Sequence, residues 1–153
     1  MAVPGIELLD NKIRNLTQEF YNDHSTMNEI LINDNRPYCV MVLTVDGLDF
    51  AVPFRTNIGH NHAYLFTGSP RGNNSGVDFS KAVVLTDRKY LGNETIIENH
   101  EYSMFINNKD VILRRFKKFI KNYKKWNNNP AYYHQEILFR YSSLQYFHSE
   151  LGI

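Results

Sequence analysis

A guanidinium, a hydroxyl, an amide and two imidazoles follow one short apolar run of this 153-residue chain. They belong to Arg55, Thr56, Asn57, His60 and His62. Arg55 can neutralise a phosphate through two hydrogen bonds, and Thr56 and Asn57 can add further bonds to it. An imidazole can both accept and donate a proton near neutral pH. The spacing predicts a loop that handles phosphate, with an exposed polar turn as the alternative.

A second polar group, Asp78, Ser80 and Lys81, opens a later apolar run. Asp78 and Ser80 share one face if this segment is extended. We expect them to line the same groove as Arg55, with Lys81 stabilising the negative charge that builds up during phosphoryl transfer. The alternative is that Asp78 and Ser80 only cap the start of a strand and that Lys81 is a surface charge.

His60 and His62 also raise the question of a metal, since residues i and i+2 of a strand share a face. Asp78 is the candidate third ligand. The sequence has no cysteine cluster and no His-Glu-x-x-His motif, and its 68–76 loop has no Gly-Lys-Ser/Thr ending. We therefore predict no metal and no other cofactor, with a metal-dependent hydrolase that uses His60, His62 and Asp78 as the weaker alternative.

Seven Lys and Arg residues lie between Arg114 and Lys125, with no acidic residue among them. Helical spacing places five of them on one face, opposite an apolar face suited to a core. Because surfaces normally mix signs of charge, this face predicts a polyanion partner, and nucleic acid is favoured over a membrane. A solvated charged face is the alternative. The five residues are Arg114, Lys117, Lys118, Lys121 and Lys125.

The net charge of +1 conceals a strong asymmetry along the chain. Residues 1–35 carry a net charge of −4, whereas residues 102–153 carry +6. A folded chain of this kind has one basic pole that can attract a polyanion. One cysteine excludes an internal disulfide framework, and no apolar run approaches the roughly 20 residues that cross a membrane. We expect a single cytoplasmic domain over residues 1–153, with no membrane partner.

Apolar and β-branched runs in the middle of the chain predict an antiparallel sheet. Asp46-Gly47 between two of these runs is a hairpin turn signal. The pattern of residues 87–106 is ambiguous and is read as one or two further short strands, around residues 95–97 and 102–105. The main strands are expected at residues 38–45, 48–54, 63–67 and 82–86.

Helical spacing of apolar residues predicts helices from both ends of the chain. The amino-terminal helices are expected at residues 6–23 and 26–31. Towards the other end, one helix begins near Asn107 and another begins at Pro130, with Tyr141 and Leu144 facing inward. The predicted fold class is α+β, a twisted antiparallel sheet flanked by helices from both chain ends.

The order and spacing of these motifs resemble the toxin nucleases of type III toxin–antitoxin systems, the ToxN/AbiQ, CptN and TenpN groups. The resemblance covers much of the chain. It rests on the leading helices, on Arg36-Pro37-Tyr38, on residues 52–58 with His60, and on residues 76–84. Members of this family look like distant relatives of the MazF/Kid toxins, so the resemblance implies a sheet of that kind decorated by helices.

Arg36 before its strand and the polar segment after Val52-Pro53 resemble the arginine and threonine positions of MazF. The ToxN group carries Ser-Ser-x-Lys after its Pro-Leu, and the matching residues 55–57 lack that lysine. This departure moves weight from a lysine-centred mechanism to Arg55, His60 and His62.

The resemblance implies a metal-independent endoribonuclease that leaves 2′,3′-cyclic phosphate and 5′-hydroxyl ends. Such a reaction needs a base for the 2′-hydroxyl, an acid for the leaving 5′-oxygen and cationic donors on the phosphate. The implied catalytic residues are Arg55, Thr56, His60 and His62, with His60 or His62 transferring protons. The implied phosphate and RNA contacts are Arg36, Asn57, Asp78, Ser80, Lys81 and the basic face of residues 114–125.

The family also implies an RNA partner, an antitoxin of short repeats that often folds as a pseudoknot. The toxin cuts this RNA and closes with it into a cyclic toxin–RNA assembly, while cellular or phage mRNA is the substrate. The basic helix is the candidate contact to the RNA backbone, with bases splayed onto tyrosines. The alternative function is an RNA-binding regulator without catalysis, which would use the same basic and aromatic surface.

Overall fold

A computed structural model describes residues 3–27, 29–30, 39–72, 74–129 and 139–153. These residues form an α+β fold, with eight strands in an antiparallel sheet and four α-helices. Among them no helix combines the length and the apolar character needed to span a membrane.

The centre of the sheet is a hairpin of strands β3 (Cys39–Val45) and β4 (Leu48–Arg55). Asp46 and Gly47 connect the strands with positive φ angles of 50° and 82°. A two-residue turn with both φ values positive matches the right-handed twist of the flanking strands, and Asp-Gly favours it. The predicted hairpin is therefore confirmed.

Three short strands extend the sheet on the β3 side. Strand β1 (Ile6–Leu8) and strand β2 (Ile13–Leu16) pair with successive parts of β3, and β8 (Leu91–Thr95) pairs with the outer edge of β2. The residues of β1 and β2 that face inward, including Ile6, Ile13 and Leu16, are buried in the core.

On the other side, the partner of β4 is interrupted. Strand β6 (Gly76–Asp78) pairs with the end of β4, and β7 (Val83–Val84) pairs with its first half. A 3-10 turn (Phe79–Lys81) separates them, and β5 (Ala63–Leu65) pairs with the outer edge of β6. The order across the sheet is β5-β6-β4-β3-β2-β8. The interruption puts a polar turn beside the last residues of β4.

The helices are α1 (Gln18–Asp23), α2 (Asn99–Asn107), α3 (Lys109–Asn128) and α4 (His148–Leu151). Helix α3 packs an aromatic and aliphatic face on the sheet and on the interrupted edge. The Phe116 ring lies edge-on to Phe50 of β4 at 5.3 Å and to Phe79 at 5.6 Å. The apolar face predicted for this helix is confirmed, since Ile112, Phe116, Phe119, Ile120 and Tyr123 are all buried.

Several secondary-structure predictions are wrong. Residues 6–23 form β1, β2 and α1 rather than one helix, because pairing with β3 and β8 buries the same apolar residues. The described residues from Thr26 to Ile30 form turns and bends. Residues 102–105 lie in α2, and the strand expected around 95–97 begins at Leu91 and ends at Thr95.

The carboxy-terminal prediction is partly wrong. Residues 139–141 and Ser143–Tyr146 form 3-10 turns, and the expected start of a helix at Pro130 lies outside the described residues. Leu144 is fully buried, as expected, but Tyr141 is 60% exposed instead of facing inward. The short turns place the two side chains on different sides of the segment.

Candidate functional site

Arg55 and Asp78 meet because of the register between β4 and β6. Arg55 lies opposite Gly76, and Asp78 is two residues further along β6, so the two side chains form a diagonal pair on one face. Arg55 Nη1 lies 2.6 Å from Asp78 Oδ2. The Asp78 side chain is fully buried, whereas that of Arg55 is 31% exposed. The guanidinium is thus anchored from below and still reaches solvent.

Asp78 is the hub of the cluster. Its Oδ1 accepts the backbone N–H of Ser80 at 3.0 Å and the Ser80 hydroxyl at 2.6 Å. His60 Nε2 lies 3.3 Å from the same oxygen. Burial raises the pKa of Asp78, but hydrogen bonds and charge from His60, Ser80 and Arg55 outweigh it and hold the pKa below the usual 3.8. Asp78 is therefore an anion at neutral pH.

His60 is held through both ring nitrogens. Its Nδ1 accepts the backbone N–H of His62 at 3.1 Å, so the neutral ring carries its proton on Nε2. Nε2 faces Asp78 and lies 3.2 Å from Ser80 Oγ. The side chain is 17% exposed. His60 can exchange a proton with a ligand only when the ligand takes the place of one of these partners.

The His62 ring packs against two aromatic side chains. Its ring stacks on Phe139 with centroids 4.7 Å apart and meets Phe119 of α3 at 5.4 Å. The rings of His60 and His62 are 5.9 Å apart. His62 therefore joins the loop after β4 to helix α3 and to the carboxy-terminal segment.

Lys81 extends from the 3-10 turn towards the carboxy-terminal segment. Its Nζ donates a hydrogen bond to the backbone carbonyl of Tyr141 at 3.1 Å. Burial lowers the pKa of the Lys81 ammonium below the usual 10.5, while the charges of Asp78 and Glu29 act in the opposite direction and that of Arg55 adds to the decrease. Lys81 thus belongs to the same electrostatic cluster as Asp78 and Arg55.

The two polar loops converge, as the sequence predicted. Arg55 and His60 come from the first loop, and Asp78, Ser80 and Lys81 come from the second. Asp78 and Ser80 are buried, however, so they lie beneath Arg55 and His60 and do not line an open groove. Asp78 caps the 3-10 turn by accepting the Ser80 backbone N–H, and Ser80 lies within that turn, whereas the alternative left open by the sequence placed both residues at the start of a strand.

The remaining predicted site residues lie at different depths. Thr56 is half-buried, and Asn57 is exposed with a left-handed φ of 55°, a conformation that asparagine tolerates better than most residues. Arg36, expected to hold the phosphate with Arg55, lies outside the described residues. Thr56 and Asn57 follow Arg55 directly in the chain, at the start of the loop after β4.

Helix α3 carries its cations on the side away from the core. Lys117 is half-buried and donates to the carbonyl of Pro4, so it is partly withdrawn from this face. Arg115, which was not among the predicted residues, lies 5.1 Å from the centre of the ring of Tyr64 in β5. The exposed members of the predicted set are Arg114, Lys118, Lys121 and Lys125.

The carboxy-terminal segment completes the cluster, and the sequence did not predict this. Ser143 Oγ donates to the backbone carbonyls of Ser80 and Ala82. Tyr146 donates its hydroxyl to Glu29, whose charge acts on Lys81. The residues in these contacts are 60 or more positions apart in the chain, and no rule of local spacing predicts contacts at that separation. The one signal in the sequence was the pair of adjacent serines, Ser142 and Ser143, within an aromatic segment.

Within the described ranges, no group of three or more His, Cys, Asp or Glu side chains is arranged to hold a metal ion. No protein-family model, curated protein or solved structure matches this chain. The chemistry of the site therefore rests on its own geometry.

Proposed function

We propose that this protein is a metal-independent endoribonuclease, a cytoplasmic toxin of the type III toxin–antitoxin class. The cluster of Arg55, His60, Asp78 and Lys81 supports the proposal, because it combines two cations with an imidazole around one buried carboxylate. RNA carries its own nucleophile, the 2′-hydroxyl. A protein that cuts it needs only cations on the phosphate and groups that transfer protons.

The scissile phosphate binds between Arg55 and Lys81 in this proposal. Asp78 holds Arg55 in place from beneath, so the exposed part of the guanidinium is a fixed donor rather than a mobile one. Thr56 and Asn57 add hydrogen bonds at the start of the loop. The bond from O2′ to phosphorus forms while the bond from phosphorus to O5′ breaks, and both cations stabilise the added negative charge.

Proton transfer is assigned to His60 or His62. One group takes the 2′-hydroxyl proton, and another gives a proton to the leaving 5′-oxygen. For His60 this requires the RNA oxygen to replace Asp78 or Ser80 at Nε2. The variants His60→Ala and His62→Ala, assayed separately, identify which imidazole takes part.

The test uses purified protein, total RNA and a chelator. We expect new 5′-hydroxyl and 2′,3′-cyclic phosphate ends that do not depend on divalent metal. Arg55→Ala should abolish them, whereas Arg88→Ala should not, because Arg88 is a 64% exposed arginine that pairs with Asp49 at the other end of β4. Intact RNA after incubation with the wild-type protein would refute the nuclease assignment.

The second candidate function is an RNA-binding regulator without catalysis. The exposed cations Arg114, Lys118, Lys121 and Lys125 favour RNA binding whether or not the protein cuts. Salt-dependent binding without new RNA ends, in the wild-type protein, would select this alternative.

The proposed antitoxin partner is a repeat-derived RNA with pseudoknot structure, bound through the basic face of α3. In this proposal the toxin cuts a precursor RNA into repeat units and then closes with them into a cyclic toxin–RNA assembly. The toxin thus processes this RNA and is inhibited by it. Cellular or phage mRNA is the proposed substrate of the free toxin. Co-purification with a discrete short RNA tests the partner directly.

A further inference from the structure

Tyr141 is an exposed aromatic residue that lies between buried residues of the carboxy-terminal segment. Its residue surface is 60% exposed, whereas Phe139, Ser142, Ser143 and Leu144 are all buried. Single exposed aromatic residues are common on protein surfaces, so exposure alone does not indicate a binding site. The position of Tyr141 next to the candidate site is what distinguishes it.

The backbone around Tyr141 is fastened to the site from two sides. Lys81 Nζ donates to the Tyr141 carbonyl at 3.1 Å, and Ser143 Oγ donates to the Ser80 carbonyl at 3.3 Å. Ser143 also donates to the carbonyl of Ala82. The turn that bears Tyr141 therefore lies directly against the turn that bears Ser80 and Lys81.

The same turn is rigidly supported from below. The backbone N–H of Ser142 donates to the Phe139 carbonyl at 3.1 Å, which closes the turn around Tyr141. Phe139 in turn stacks on His62 at 4.7 Å and lies edge-on to Tyr123 at 5.7 Å. Because the backbone is fixed, a ligand that contacts the Tyr141 ring has to immobilise only two side-chain torsions.

A cation accompanies the exposed ring. Arg140 is also exposed, and its carbonyl accepts a hydrogen bond from Gln145 Nε2 at 2.9 Å. An exposed arginine followed by an exposed tyrosine offers one group for a phosphate and one for the flat face of a base. Neither chemistry is needed for the packing of this segment.

We propose that Tyr141 is a stacking platform for an unpaired nucleobase next to the phosphate that Arg55 and Lys81 hold. This inference rests on the proposed nuclease function and adds a preference to it, for single-stranded RNA with a base free to leave the helix at that position. Every nucleobase has an aromatic face, so the platform selects an unpaired base without specifying its identity.

The test is a double-variant cycle between the protein and the RNA. The substrates are a short single-stranded RNA with one mapped cleavage position and two copies in which the nucleotide on either side of that position is abasic. The wild-type protein and Tyr141→Ala are compared by kcat/KM on each. Stacking predicts that Tyr141→Ala lowers kcat/KM on the order of 10-fold on the complete RNA and has no effect on one of the abasic RNAs.

Two controls accompany the cycle. Tyr141→Phe keeps the aromatic face and should retain the wild-type rate. Tyr102→Ala removes a 40% exposed tyrosine on α2, outside the cluster, and should leave the rate unchanged on every RNA.

An equal effect of Tyr141→Ala on complete and abasic RNA, or no effect at all, overturns the stacking role and leaves the nuclease proposal standing. If the wild-type protein cuts no RNA, so that no cleavage position can be mapped, the proposed function fails instead. Equilibrium Kd values of the wild-type protein and Tyr141→Ala for one short single-stranded RNA, and for copies that are abasic at each position in turn, then decide the platform independently. A loss of affinity that is confined to RNA with the base present supports it, and its absence overturns it.

Discussion

Arg55 Nη1 lies 2.6 Å from an oxygen of Asp78, a carboxylate without exposed side-chain surface, across the end of the β4–β6 pair. The pair is asymmetric, because Asp78 also accepts from Ser80 and lies against His60, whereas Arg55 keeps part of its guanidinium in solvent. The carboxylate is thus a support that fixes the direction of the arginine. The same arrangement makes Asp78 sensitive to the loss of its counter-charge.

Arg55→Ala should lower the free energy of unfolding by about 2–3 kcal/mol, because it leaves a buried charge without its cation. The double variant Arg55→Ala, Asp78→Asn removes the charge as well and should recover part of this loss. Urea unfolding of the wild type, both single variants and the double variant measures the coupling. Strictly additive effects would show that the ion pair contributes nothing to stability.

The lowered pKa of Asp78 makes stability depend on pH in the acid range. As pH falls, the unfolded chain takes up the Asp78 proton first, near 3.8, and the folded chain takes it up only at lower pH. The stabilisation is thus fully present above 3.8 and is lost as pH falls through the folded value. Asp78→Asn should show a shallower acid loss of unfolding free energy than the wild type, and urea unfolding at a series of pH values measures the difference.

Lys81 should set the alkaline limb of the cleavage reaction. Its ammonium has to be charged to hold the phosphate, and burial lowers its pKa, so activity should fall at lower pH than an ordinary lysine would cause. Lys81→Arg keeps the charge and should move this limb to higher pH, while Lys81→Ala should reduce kcat/KM on the order of 100-fold. An unchanged alkaline limb in Lys81→Arg would remove Lys81 from the phosphate site.

Gly76→Ala should disrupt both the sheet edge and the site. A Cβ at this position would lie 2.0 Å from the Tyr64 carbonyl oxygen and 2.9 Å from Leu65 Cα, so the backbone of β5 or β6 would have to move. We expect a loss of about 3 kcal/mol in unfolding free energy and a displaced Asp78. Gly59→Ala meets open space and should change stability by less than about 0.5 kcal/mol. Thermal melts of both variants check the contrast.

The basic face of α3 should govern the salt dependence of RNA binding. Each phosphate contact that is removed should reduce the slope of log affinity against log salt by about 1. The triple variant Arg114→Ala, Lys118→Ala, Lys121→Ala should therefore bind RNA more weakly and with a flatter slope. Lys12→Ala, Lys89→Ala removes two exposed cations outside this helix and should leave the slope unchanged. Equal slopes in all three proteins would exclude this face from RNA binding.

Local signals predicted part of the fold. The Asp-Gly turn fixed the β3–β4 hairpin, because only a few residue pairs accept two positive φ angles. The apolar face of α3 followed from its spacing. The prediction for residues 6–23 failed because Ile13, Leu16 and Phe20 fit a helical spacing and also fit a strand with a register shift between Arg14 and Leu16, followed by a short helix. Pairing with β3 decided between them, and no local signal reports that pairing.

Local signals in the sequence also predicted which residues belong to the cluster, but they did not predict how deeply each residue is buried. Arg55 and Asp78 were expected to approach one another, but the burial of Asp78 depends on β4 and β5 pairing on the two sides of β6. Tyr141 was expected inward because a continuous helix was assumed. Short 3-10 turns held by Ser143 and Lys81 expose it instead.

The interrupted partner of β4 also explains a proline inside the central hairpin. The Asp49 carbonyl accepts the N–H of Leu85 on this side of β4, and alternate residues of a strand direct their backbone groups the same way, so the Pro53 nitrogen faces the interruption. Proline has no N–H to donate, and no hydrogen bond is lost where no backbone acceptor lies opposite its nitrogen. A continuous neighbouring strand would leave an acceptor unsatisfied at Pro53 and would straighten the turn that carries Ser80 and Lys81. The proline and the polar turn therefore both depend on the same break in the β-ladder. A redesign that filled the break with a continuous strand would be incompatible with both.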